Sequence, residues 1–141
     1  MHRNVLVLLL FAAPTLDACG ILPGGAAIPN DPVPQGTVIG SGVLNPLNGK
    51  TCGGFASVYR LATDSSFVVR LEGLVVPAEN TLHVVAYSNT QVSLDASLRS
   101  TKGTQNYPTG LADGRTWTSI YIRQPANSLI KDYCKADLVT P

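Results

Sequence analysis

Few residues of this chain have side chains suited to chemistry, and their spacing narrows what they could do. Three are cysteines, Cys19, Cys52 and Cys134, and two are histidines, of which His2 lies in the leader. His83 is then the only histidine in the body of the chain. A zinc site would have to draw on one imidazole, the cysteines and scattered carboxylates, with none of the ligand spacings such sites use, so no metal is expected. A serine nucleophile would need a Gly-x-Ser-x-Gly elbow, which is missing. Glu72 and Glu79 are the only glutamates, and Glu72 beside Arg70 reads as an exposed strand residue rather than half of an acid pair. The glycines at 40 and 42 lack the following helix of a phosphate cradle. No catalytic residue and no cofactor are expected, and the chain reads as a binding protein rather than an enzyme.

The cysteines point to export. Residues 5–13 (VLVLLLFAA) form an apolar run behind a short polar start. The run falls short of the roughly 20 residues that span a bilayer, and it has the length of a signal-peptide core. Leu16-Asp17-Ala18-Cys19 then resembles a bacterial lipobox, with Leu three before the cysteine and a small residue just before it. Asp17 stands where that pattern usually carries an uncharged residue. On this reading residues 1–18 are a signal peptide, and Cys19 carries the acyl chains (palmitate) of a lipoprotein anchored in the membrane of the cell envelope. The competing reading is ordinary secretion after cleavage at Ala18, which Leu16 disfavours because it is large. An odd cysteine count in an exported chain needs an explanation. Lipid on Cys19 would leave Cys52 and Cys134 free to pair in an oxidising compartment. Two unpaired thiols are the alternative, since spacing alone does not prove contact.

Composition excludes other classes. The chain has 141 residues, enough for one domain with a core of its own. Formal net charge is +1 with no basic stripe, so nucleic acid is not an expected partner. The expected partners are the membrane, through the lipid, and an envelope protein or small ligand.

The elements that would position these residues are strands. Residues 19–36 are dense in Gly, Pro and Asn and read as the lipidated cysteine and a flexible tether. From 37 to 141 the pattern is β, with no sustained helical period. Candidate strands cover 37–44, 55–61, 67–76, 81–87, 92–94, 98–100, 117–123 and part of 128–138. In 67–76 the side chains of Phe67, Val69, Leu71, Gly73 and Val75 alternate with Val68, Arg70, Glu72 and Leu74, the β period of two. Residues 62–66 form a turn, so 55–61 and 67–76 make a hairpin, across which Arg60 is placed to face Glu72. The expected fold is all-β: a small antiparallel β-sandwich with a disulfide. Residues 102–115 read as a polar loop, and Gln105, Asn106 and Tyr107, with His83, are its candidate binding residues. The other reading of the same loop is a structural corner, with Tyr107 packed inward and Asn106 satisfying backbone groups. His83, between Leu82 and Val84, reads as a hydrogen-bonded strand histidine or as a ligand contact.

Three stretches carry a resemblance to a known family: RLEGL at 70–74, LHV at 82–84 and KGTQNY at 102–107. Together they resemble the DM-thirteen domain, a small extracellular β-sandwich related to the DOMON and cytochrome-like sandwiches, over residues 50–138. The resemblance implies that fold and an extracytoplasmic setting. It also implies an alternative function, redox or haem-associated electron transfer in the envelope. That role leans on a cysteine just after the strand at 119–122, where this chain has Gln124.

Overall fold

The computed structural model describes residues 27–79, 81–112, 114–125, 129 and 131–141. The leader, Cys19 and the first part of the tether lie outside the described residues. The chain forms β1 (Gly36–Val43), β2 (Asn45–Pro46), β3 (Gly53–Leu61), β4 (Phe67–Val75), β5 (His83–Ser88), β6 (Gln91–Ser97), β7 (Lys102–Pro108), β8 (Trp117–Arg123) and β9 (Asp132–Asp137). They make two antiparallel sheets, one ordered β1-β3-β4-β7 and the other β2-β9-β8-β5-β6. The expected all-β sandwich is the observed fold.

The core lies between the sheets, where the alternate residues of each strand meet. Ala56, Val58, Phe67, Val69 and Leu71 supply one side, and Val84, Ala86, Ile120, Ile122 and Ala136 the other. Cys52, just before β3 in the first sheet, is disulfide-bonded to Cys134 of β9 in the second, with their Cα atoms 5.9 Å apart. The bridge therefore staples one sheet to the other.

Strict alternation fails in β4 at one place, for a local reason. Leu71 pairs with Gln105 and Leu74 with Gly103, so β4 has one residue more than β7 across this interval. Gly73 takes φ +56° inside this bulge, a left-handed conformation that suits a residue without a Cβ. Side-chain parity flips beyond it. Leu74, placed by simple alternation opposite Leu71, is fully buried with it, and Val75 is exposed.

Three expectations about elements are corrected. Residues 102–108 are not part of a loop but the edge strand β7; its polar sequence hides the alternation of buried Gln105 and Tyr107 with outward Thr104 and Asn106. Residues 91–97 form one strand, β6, and 98–100 do not continue as another. Arg60 does not face Glu72: the hairpin register pairs Arg60 with Phe67, and Glu72 with Phe55. Glu72 instead accepts a hydrogen bond from Nε of Arg70, two residues away on its own strand, at 2.7 Å.

Candidate functional site

Gln105, Asn106 and Tyr107 stand side by side on β7, and they hold the fold together. The Gln105 side chain is fully buried. Its Nε2 donates to the Ser100 carbonyl at 2.7 Å, and its Oε1 accepts from Ser100 N at 3.2 Å and from the Tyr107 hydroxyl at 2.6 Å. The Tyr107 hydroxyl in turn accepts from Arg99 N at 3.1 Å. The amide thus satisfies the backbone of the β6–β7 connection, and burial pushes the Tyr107 phenol above its ordinary value.

Asn106 faces the other way, toward the segment expected to be a free tether. From residue 29 onward that segment is a strap bound to the four-stranded sheet. Asn30 bridges Thr104 in parallel, Thr104 N donates to Pro29 O at 2.7 Å, and Asp31 N donates to Thr104 O at 3.1 Å. The strap then crosses β4, where Arg70 Nη1 donates to the carbonyls of Asp31 and Pro32 at 3.0 and 2.9 Å and to Asn106 Oδ1 at 2.9 Å. Arg70 belongs to the outward row, yet it is only 5% exposed. At the far side Ala62 N donates to Gln35 O at 3.1 Å, next to the start of β1. Gly103 permits the close approach at the strap's first residues, because a Cβ there would overlap the Pro29 carbonyl and the Ile28 side chain. The backbone N–H of Asn106, followed by the Arg99 guanidinium, holds the Asp31 carboxyl below the usual carboxylate range despite some desolvation.

His83 lies in the other sheet, so the structure does not bring it together with the β7 residues. Its Nδ1 is 2.6 Å from Asp95 Oδ1 of the neighbouring strand β6. The same outward row of β5 carries Tyr87, and the adjacent row of β8 carries Tyr121 and Arg123. The tyrosine rings meet edge to face with centroids 5.6 Å apart. Arg123 lies 5.2 Å above the Tyr121 ring, donates to the Tyr87 hydroxyl at 2.9 Å and pairs with Asp132 at 2.7 Å. Partial burial opposes the Arg123 charge, but Asp132 outweighs it and the guanidinium stays protonated. Lys135 of β9 approaches the same Tyr121 ring at 5.6 Å. Two shallow clefts, of about 320 and 270 Å³, flank Tyr87 and Arg123. The result is a connected face of aromatic and charged side chains on the outside of the five-stranded sheet.

Sequence reasoning singled out His83 on this face and missed Tyr87, Asp95, Tyr121, Arg123 and Asp132. The period of two carries the signal: positions 83, 85 and 87 share a face, as do 119, 121 and 123. What it lacks is which strands become neighbours. The chain was compared with protein families, with curated proteins and with solved structures, and it matches none of them.

Proposed function

We propose that this chain is an exported, lipid-anchored binding domain of the bacterial cell envelope, without catalysis of its own. The observation that carries the reading is the Cys52–Cys134 bridge. Of the three cysteines in the sequence it leaves Cys19, the one preceded by Leu16-Asp17-Ala18 and an apolar run, for another use. A disulfide between the sheets also fits an oxidising compartment.

The binding surface on this reading is the outer face of the five-stranded sheet. The opposite face is crossed by the strap, whereas Tyr87, Tyr121 and Arg123 remain partly open to solvent. Tyrosine and arginine are the residue types that dominate protein interfaces, because they bring large area and directional hydrogen bonds together. The partner class is an envelope protein. A DM-thirteen-like domain is part of the same proposal and rests on the KGTQNY stretch, now strand β7 and its contacts to the strap. The family's redox role is not carried over, since Gln124 occupies the position of its cysteine.

The test is the intact mass of the protein extracted from the envelope of a bacterium that makes it. The expected mature chain starts at Cys19, carries acyl mass and lacks the two protons lost on forming the Cys52–Cys134 bond. A chain that starts elsewhere and bears no lipid overturns the anchoring.

A further inference from the structure

A separate feature lies at one end of the sandwich, where side chains from both sheets surround a cleft of about 440 Å³. Ile39, Phe67, Trp117 and Leu138 make its apolar walls, and Arg60 and Arg115 stand in its lining. The volume falls within the range of small-molecule sites, about 300–1,000 Å³. Phe67 and Trp117 meet edge to face with centroids 5.5 Å apart, and both are buried.

Two polar groups bear on what this cleft could hold. Arg60 continues the inward row of Ala56 and Val58, so β3 aims a guanidinium at the mouth of the space between the sheets. That guanidinium makes no hydrogen bond or ion pair with the described residues, and the described lining holds no carboxylate. The indole Nε1–H of Trp117 is buried and has no acceptor among the described residues. Buried N–H groups are nearly always paired, and leaving one unpaired is costly.

We propose that this end cleft binds a small organic monocarboxylate with an aromatic or short acyl body. The body lies against Phe67, Trp117 and Leu138. The carboxylate pairs with Arg60 at the mouth, where the guanidinium stands beside the apolar walls. The inference deepens the reading of a binding domain. It is independent of the anchor, so failure here leaves the intact-mass result at Cys19 to stand or fall alone.

Trp117 is the single tryptophan of the chain, so its emission reports on the cleft directly. The experiment uses the full 141-residue chain with Cys19→Ala and the disulfide closed. It is titrated with 4-phenylbutyrate and with octanoate, and with 4-phenylbutanol as the uncharged counterpart. At least one acid should give a saturable change in emission, which identifies the preferred body. The alcohol should bind at least about tenfold more weakly, and Arg60→Gln should weaken the acid by a similar factor, as expected of one charge-assisted contact. Arg60 is exposed, so this variant should keep the parent's melting temperature, and a matching melt certifies that it has folded. The proposal is overturned if neither acid gives a saturable change up to millimolar concentration. It is also overturned if the alcohol binds as well as the acid, or if folded Arg60→Gln binds like the parent.

Discussion

The carboxylate of Asp31 accepts the backbone N–H of Asn106 at 2.7 Å, across 75 positions of chain. Arg99 grips the same carboxylate, and Arg70 holds the Asp31 carbonyl on the other side of the residue. One side chain therefore latches the strap to β7. Asp31→Ala should lower the unfolding free energy by about 1–2 kcal/mol, a value discounted because the group is partly solvated. Amide exchange at Thr104 should accelerate in the same variant, since its N–H is bonded to Pro29 O at 2.7 Å. Unchanged protection at Thr104 would show that the strap is held elsewhere.

Acid should loosen this latch and the contact made by Glu79. The carboxyl of Asp31 lies below its ordinary 3.8, chiefly through the Asn106 N–H. That of Glu79 lies below its ordinary 4.5, through the Tyr133 hydroxyl and then Lys50. Both are depressed in the folded state, so the stability they add is complete above their ordinary values and is lost as pH falls through the folded ones. Urea midpoints should hold steady from neutrality to about pH 5 and fall below about pH 4. Asp31→Asn should show a smaller fall. Identical acid profiles for parent and variant would remove Asp31 from the account.

The disulfide closes a loop with a sequence separation of 82 residues. Constraint of the unfolded chain alone assigns such a bridge about 4–5 kcal/mol. The double variant Cys52→Ala, Cys134→Ala should lose stability of that order, and its denaturation should not respond to dithiothreitol. The parent should lose a comparable amount on reduction. A parent equally stable with and without reductant contradicts the staple between the sheets.

The bulge in β4 makes a contrast between two substitutions at one site. Gly73 has φ +56° and nothing in the space a Cβ would fill, so conformation alone sets the cost. Gly73→Asn should be tolerated, because asparagine visits the left-handed region readily. Gly73→Val should cost about 1–2 kcal/mol more than Gly73→Asn, because a β-branched residue resists that region. Thermal melts of the two variants decide the matter, and equal melting temperatures would refute the bulge as described.

Particular residues show why some features were legible and others were not. The strand 117–123 and the hairpin turn at 62–66 are local: β-branched and aromatic runs broken by small polar residues encode them within a few positions. β7 was missed because Gln105 is a polar residue on a buried row, and alternation of apolar and polar types does not register it. Its burial is permitted by partners at Ser100, Lys102 and Tyr107, which only the folded backbone assembles. The face built by Tyr87, Tyr121 and Arg123 depended on β5 lying beside β8, a pairing between strands far apart in the chain.

The amino-acid order by itself determined the all-β class, most strand positions and the absence of recognised catalytic spacings, because each follows from short-range periodicity or from counting residue types. It also admitted the pairing of Cys52 with Cys134 without requiring it. Only the tertiary structure decided that the cysteines meet across two sheets, that residues 29–35 strap one sheet, and that Arg60 and Trp117 share an end cleft. Those are long-range contacts. Their free energy depends on which surfaces pack together, and no local window of sequence contains that information.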